Sequence, residues 1–339
     1  MIKQRGLSLV ELMVAMLIGL IITGAVIQVF ISNKTTFLMQ DGMSRVQENG
    51  RFALQYLALE IRPAGVGVGV RLPEESICQV AESDMVENVS MAISGYTAGT
   101  TDTTAVPGTD VVNVTTTDNC GAWLAESESF KPSINNANFK ANMYCSGMKK
   151  GQALMLMDIE KAVIIEVNNS PSAGSAEPTI NHSGANNVGA ECGGFKFSDM
   201  VFDSTARVVS LSNRSYFVRY TGRDDAQGNP INALAVRYNL SEDAGPYDIV
   251  DGVENMQVRY GMLDASGVGV DEYLSAAAIE AANRWGDVQT VRIDLLLTSD
   301  AQTPGAQQQS ITFNGTAVAA DGRFRQIYST VIALRNRIE

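Results

Sequence analysis

A mainly hydrophobic run lies near the N-terminus, at residues 6–31, with a single charged side chain at Glu11. About 20 consecutive apolar residues are enough for a helix to cross the hydrocarbon layer of a membrane. An ionised side chain near the centre of such a helix costs about 2.5–3.5 kcal/mol, so an acid placed there needs a countercharge. The run therefore predicts a membrane-spanning helix in which Glu11 has a function.

After Lys34 the pattern becomes amphipathic, with apolar residues in steps of three and four if Gly50 is counted among them. We expect the helix to continue to Arg62, because Pro63 and Gly65 then end it. At 1.5 Å per residue it reaches about 84 Å, more than one bilayer needs. A coiled-coil stalk is the alternative, but it requires a longer heptad repeat. The apolar stripe consists of Met39, Met43, Val46, Ala53, Leu57 and Ile61.

The rest of the chain is typical of β-structure. Residues 64–75 contain three glycines but lack a phosphate-loop spacing and follow a helix, so we interpret them as a linker. One helix is expected at 271–285, and the polar run 168–194, with His182, is expected to be a solvated surface loop. Strands are expected at 110–114, 154–157, 162–167, 206–212, 216–221, 233–239, 256–261, 288–298, 310–313 and 325–334.

Composition argues against several kinds of function. The formal charge of −12 disfavours nucleic-acid binding. One histidine and four cysteines without a C-x-x-C pair give little support for zinc or thiol chemistry. The G-x-S-x-G, H-E-x-x-H and G-K-[ST] motifs are absent. An oxygen-rich turn at 224–229 lacks the EF-hand spacing and predicts an ordinary hairpin. We therefore expect neither an enzyme nor a bound metal or cofactor.

The four cysteines predict disulfides in an oxidising compartment. Sequence permits three pairings; we favour Cys120 with Cys145, leaving Cys78 with Cys192. The first bond closes a loop of about 25 residues and is worth about 3–4 kcal/mol. Four unpaired buried thiols are the alternative.

The start of the chain has the form of a processing signal. Lys3 and Arg5 precede Gly6, and no small-residue cleavage site follows the apolar run. The basic leader also keeps the N-terminus cytoplasmic and sends the remainder across the membrane. Cleavage between Gly6 and Leu7 would make Glu11 the fifth residue of the mature chain. This pattern resembles the class III signal of type IV pilins and type II secretion pseudopilins.

That resemblance implies specific roles. Prepilin peptidase would cleave after Gly6 and methylate the new N-terminus, Leu7, which stands where phenylalanine is commonest. Glu11 would pair with the terminal amine of a neighbouring subunit during assembly. A plain N-terminal anchor is the alternative interpretation.

Three segments, 45–65, 248–262 and 321–339, are similar to the PilW group of minor pilins. The first reads RVQENGRFALQYLALEIRPAG and the second DIVDGVENMQVRYGM. The resemblance implies a minor type IV pilin that initiates pilus assembly with other minor pilins, the major pilin and a tip adhesin. It also implies residence in the inner membrane with a periplasmic head, then at the extracellular pilus tip, supporting twitching motility and adhesion.

The implied fold is α+β and pilin-like, with a long N-terminal helix followed by a mainly antiparallel β-sheet head. Two alternatives remain open: a minor pseudopilin of a type II secretion system, and a membrane-anchored periplasmic enzyme or binding protein. The expected divisions are a leader (1–6), a membrane and assembly helix (7–31), its amphipathic continuation (32–63), a loop-rich disulfide-containing part (64–200) and a β-rich part of the head (201–339).

Overall fold

The computed structural model begins with one helix, α1 (Leu9–Ile61), of 53 residues. At 1.5 Å per residue this helix is about 80 Å long. This agrees with the long helix predicted from the continuous apolar run and the amphipathic stripe that follows it. It ends just before Pro63, where the Ala64 amide donates to the Ile61 carbonyl at 2.9 Å. The structure describes residues 8–65, 77–79, 92–100, 102–125, 138–182, 191–192, 195–196, 201–225, 227–240, 245–264, 269–302 and 310–335.

The larger of two main sheets is built around β10 (Arg207–Asp224), a strand of 18 residues. One edge of β10 pairs with β3 (Asp110–Trp123), which in turn pairs with β2 (Ile93–Thr97). The other edge pairs first with β5 (Ala153–Met157) and then with β11 (Pro230–Tyr238). β5 and β11 lead outward to β6 (Ala162–Glu166) with β1 (Ile77–Gln79), and to β12 (Tyr247–Asp251), respectively.

The second main sheet consists of β13 (Val253–Leu263), β14 (Val270–Leu274), β15 (Val288–Gln302) and β18 (Arg323–Ala333). Its four strands are antiparallel and lie in the order β14-β13-β15-β18. α1 packs against β15 and β18, and the principal core lies between α1 and the two sheets.

Three short two-stranded sheets complete the described strands. The pairs are β4 (Asn138–Lys140) with β7 (Thr179–Asn181), β8 (Glu191–Cys192) with β9 (Phe195–Lys196), and β16 (Ile311–Phe313) with β17 (Thr316–Val318). The β4–β7 pair lies beside a second core, which also contains Cys145 and residues of β3, β5 and β6. The long helix followed by mainly antiparallel sheets confirms the predicted α+β fold.

The helix expected at 271–285 is wrong over its first part. β14 occupies Val270–Leu274, and only Ala276–Ala282 forms a helix, α2, which Ser275 caps. A 3-10 helix at Trp285–Asp287 follows. The strand pairs with β13, where Tyr273 lies opposite Gly261, which has no side chain to obstruct the neighbouring ring. Pairing with this strand, 12 residues earlier in the chain, overrides the apolar spacing that predicted a helix.

The expectation of a solvated His182 is also wrong. His182 is only 3% exposed, and its ring packs against that of Phe139, with ring centroids 6.3 Å apart. β7, immediately before it, pairs with β4 some 40 residues upstream. This pairing carries part of the predicted surface loop into the second core.

Candidate functional site

The first turn of α1 holds the carboxylate that the sequence singled out. Glu11 Oε2 accepts a hydrogen bond from the Ser8 amide at 2.9 Å, and the Glu11 amide donates to Ser8 Oγ at 3.2 Å. This reciprocal arrangement is a capping box, which satisfies two amides that the helix leaves unpaired. Glu11 therefore caps its own helix, a role that the sequence analysis missed although the S-x-x-E spacing signals it. Gly6 and Leu7 lie outside the described residues.

The first half of α1 is bare. Every residue from 8 to 34 is exposed, so no described part of the head covers this half. The helix has an 18-residue window with a mean hydropathy of 2.6 and is long and apolar enough to cross a membrane. An apolar helix exposed on all sides must be covered by lipid or by other chains. Glu11 is the single ionisable side chain on this surface before Lys34.

The second half of α1 buries one stripe against the head: Val46, Gly50, Ala53, Leu57 and Ile61. At Gly50 the ring of Tyr328 lies so close that an added Cβ would be 2.5 Å from it. Glycine here is thus a packing requirement, and the helix lies directly on β18. Sequence placed Gly50 in the stripe, but its neighbour lies almost 280 residues away.

A polar contact fixes the end of α1 to the larger sheet. The Glu60 carboxylate forms an ion pair with Arg214 and accepts a hydrogen bond from Tyr216 Oη at 3.0 Å. Burial, reinforced by the negative charge of Glu60, raises the pKa of Tyr216 well above its ordinary value. Tyr216 therefore stays a neutral donor to the carboxylate. The sequence analysis missed this contact, since nothing near Glu60 marks partners on a strand about 150 residues downstream.

Three hydrogen bonds to backbone carbonyls extend this attachment. The Arg335 amide donates to the Arg62 carbonyl at 3.0 Å, and the Gly65 amide donates to the Thr115 carbonyl at 3.0 Å. Asn49 Nδ2 donates to the Asp251 carbonyl at 3.1 Å. The end of α1 is thereby joined to both main sheets, which makes its second half part of the head.

The oxidation state is described for one of the four cysteines. Cys145 is disulfide-bonded, against the alternative of four unpaired thiols. The Asn142 amide, near Cys145, donates to the Trp123 carbonyl at the end of the strand that contains Cys120. β1, with Cys78, contacts β8, with Cys192. The pairing of Cys120 with Cys145 and Cys78 with Cys192 stays a prediction that these neighbours support.

No group of three or more metal-binding side chains occurs within the described part of the chain. In the 224–229 turn, Asp225 accepts hydrogen bonds from the Gln227 and Asn229 amides and from Asn229 Nδ2. These bonds hold the Asp225 carboxylate in its own turn, as expected for a polar hairpin.

Two family models match the chain. Residues 1–27 match the prokaryotic N-terminal methylation motif, and residues 216–336 match Type IV Pilus-assembly protein W, or PilW. The chain resembles the PilW group of type IV minor pilins. The PilW match begins within β10 and includes the whole second sheet, whereas residues 28–215 are outside both matches. No curated protein and no solved structure shows significant similarity to it.

These matches indicate what the exposed first half of α1 contacts. The methylation motif implies processing by prepilin peptidase and assembly with other pilins, and the apolar helix supports membrane anchoring. Pilin-family domains are in general structural rather than enzymatic. In the PilW-like chain, the first half of α1 is therefore available to contact the membrane and other pilins, and the second half packs on the head of the same chain.

Proposed function

We propose that this PilW-like chain is a minor pilin that is cleaved between Gly6 and Leu7, methylated on Leu7 and inserted into the base of a growing fibre. The observation that supports this most is a carboxylate on a bare apolar helix. In a low-dielectric environment an unpaired carboxylate is costly, whereas a carboxylate paired with an amine is tolerated. The amine at Leu7 of a neighbouring mature subunit supplies that partner.

The capping box and the intersubunit pair are compatible. A carboxylate accepts hydrogen bonds at both oxygens, and the Ser8 amide uses Oε2. The positive end of the helix dipole also favours a negative group in the first turn. Glu11 thus stabilises its own helix before assembly and retains acceptor capacity for an incoming amine.

We further infer where this subunit acts. It waits in the inner membrane with its head in the periplasm, and it joins other minor pilins, a tip adhesin and then the major pilin to initiate the fibre. A large head crowds a repeating helical lattice, so a position at or near the tip suits it better than one along the shaft. Its contribution to twitching motility and adhesion follows from this position. Residues 1–6 are the leader, 7–31 and 32–63 the two helix halves, and 64–200 and 201–339 the two parts of the head.

The decisive experiment separates capping from charge at Glu11. Glutamine at the third helical position also completes a capping box, but it cannot neutralise an amine. We expect Glu11→Gln to lower incorporation into sheared pili about as strongly as Glu11→Ala, while both variants are processed and reach the membrane. If Glu11→Gln assembles like the unchanged protein, Glu11 is a capping residue and the proposed pairing is wrong.

Processing is tested independently by mass spectrometry of the N-terminus in cells with active prepilin peptidase. We expect a chain that begins at a methylated Leu7, and an uncleaved chain for Gly6→Val. A mature protein that retains Met1 would exclude the pilin route. Deleting the gene then distinguishes the two systems. Loss of pili and twitching indicates a role in pilus assembly, whereas loss of exoprotein secretion with intact pili indicates a role in type II secretion.

A further inference from the structure

A polar pocket lies in the head at a break in strand pairing. β5 pairs with β10 as far as Ser210, and β11 pairs with it from Arg214 onward. Between these points the β10 edge at 211–213 forms the floor of a pocket of about 440 Å³. This volume is within the range of small-molecule sites. The pocket is separate from the assembly half of α1.

The pocket depends on close packing of the neighbouring loop. Gly147 lies against Ser210, and an added Cβ at Gly147 would be 1.8 Å from Ser210 Oγ. Ser210 and Asn213 are each only 6% exposed, so polar side chains are built into the floor. Gln152 Nε2 donates to the Leu240 carbonyl and thereby joins the two walls.

Several lining hydroxyls are not used by the fold. Thr116, Ser146 and Ser212 line the pocket, and their hydroxyls make no hydrogen bond to another residue in the described part of the chain. A hydroxyl both donates and accepts, so the three groups offer a ligand hydrogen bonds of either kind. Such convergent polar groups in a concave surface are typical of sites that orient a small polar ligand.

The electrostatics favour a neutral ligand. Arg214 is the one charged side chain among the described residues of the lining, and its ion pair with Glu60 balances the charge. Tyr238, which is partly exposed, adds an aromatic ring to the lining beside the hydroxyls. A sugar presents hydroxyl groups around a ring and apolar C–H faces, which matches this combination.

We infer that this pocket binds a neutral sugar unit, which would make the head a glycan-binding module. The inference does not rest on the proposed pilin function, because binding belongs to the isolated chain and needs neither cleavage nor assembly. Binding in this pocket also differs from the role proposed for Glu11, because it involves no charge pairing with another subunit.

Binding is tested by saturation-transfer NMR and calorimetry on the full chain in lauryldimethylamine oxide, a detergent without a sugar headgroup. The probes are glucose, galactose, N-acetylglucosamine and glucuronate. We expect at least one neutral sugar to bind, and glucuronate to bind no more tightly than glucose. The proposal is overturned if none of the neutral sugars binds at millimolar concentration, or if only glucuronate does.

Variants locate the site. Thr116→Val removes one hydroxyl with little change of volume, and we expect it to weaken sugar binding by about tenfold, as for one lost hydrogen bond. Ser212→Leu fills the pocket and should abolish binding. Thr316→Val, which removes an exposed hydroxyl on β17, is the matched control and should leave binding unchanged. Unchanged binding in Thr116→Val and in a folded Ser212→Leu protein would refute the assignment.

Discussion

At the scale of single residues, the position of α1 on the head depends on one missing side chain. Alanine is favoured over glycine in a helix interior by about 0.8–1.0 kcal/mol, so sequence statistics alone favour Gly50→Ala. The Tyr328 ring occupies the space that a methyl group needs, at 2.5 Å from the added Cβ. Because overpacking typically costs about 1–3 kcal/mol, the contact outweighs the gain in helix propensity.

We therefore expect Gly50→Ala to lower the thermal unfolding temperature of the full chain, measured by circular dichroism in detergent. Gly24→Ala is the matched control, because nothing lies within 4 Å of an added Cβ there. The control should not lower the unfolding temperature. An equal or higher unfolding temperature for Gly50→Ala would contradict the packing described for Tyr328.

A second residue-scale feature is the ion-pair cluster around Arg325. This side chain is 5% exposed and contacts the carboxylates of Glu254 and Asp321, at 2.6 and 2.7 Å. Burial favours the neutral acid, but hydrogen bonds from Arg325 and Arg323 outweigh it and hold the pKa of Asp321 well below its usual range. Folding thus favours the ionised form of Asp321.

The sign of the pH dependence follows from this lowered pKa. The stabilisation by Asp321 is present above the unfolded-state pKa of about 3.9 and is lost as the pH falls below it. We expect Asp321→Asn to cost about 1–3 kcal/mol at neutral pH and to flatten the acid dependence of the unfolding temperature. Asp271→Asn, at an exposed position on β14, should retain the dependence of the unchanged protein. Parallel pH profiles for Asp321→Asn and the unchanged chain would exclude this role.

At the scale of elements, the second half of α1 has one surface that packs on the head and one that faces away from it. Leu57 is fully buried, whereas Leu59, two residues later, is 72% exposed. Both are leucines in the same turn region of one helix, so helix propensity does not differ between them. Only the burial of Leu57 in the core between α1 and the two main sheets distinguishes their contributions.

Paired substitutions test this division. We expect Leu57→Ala to reduce the free energy of unfolding by about 2–5 kcal/mol, because it leaves a cavity in the core. Leu59→Ala should change it by less than about 0.5 kcal/mol, as for other surface substitutions. Chemical denaturation of both variants measures the difference. Comparable losses for the two variants would show that α1 lies on the head with another face.

The bounds of the strands also depend on contacts that local sequence patterns do not reveal. β10 was expected as two strands, 206–212 and 216–221, and forms one strand of 18 residues. The polar interval around Asn213 remains in the strand because it pairs with β3, and Asn213 Nδ2 donates to Thr115 Oγ1 across that pairing. Hydrogen bonds between strands replace the apolar contacts that sequence patterns detect.

At the scale of the whole molecule, the larger sheet joins strands from both sides of residue 200. β3 and β5 come from the part expected to be loop-rich, and β10 and β11 from the β-rich part. Short elements such as β1 and β8 lie far apart in sequence and contact each other at the edge of this arrangement. A disulfide between such elements would stabilise the fold by restricting the unfolded chain.

Peptide mapping under non-reducing conditions should recover Cys78 with Cys192 and Cys120 with Cys145. We expect the joint replacement of Cys120 and Cys145 by alanine to cost about 2–5 kcal/mol of unfolding free energy. Replacing Trp123, which is partly exposed beside this region, by phenylalanine should cost much less. Recovery of either crossed pairing would overturn the prediction.

The sequence by itself determined the long helix, its division into an apolar and an amphipathic half, the N-terminal methylation motif within residues 1–27, and the single acid at Glu11 in the apolar run. These features are local, because continuous hydrophobicity, helical periodicity and short motifs act over a few turns of chain. Only the tertiary structure decided that Gly50 receives Tyr328, that Glu60 pairs with Arg214, that His182 is buried, and that β10 leaves a polar pocket between two partners. Each of these depends on segments tens to hundreds of residues apart, whose contact no local pattern encodes.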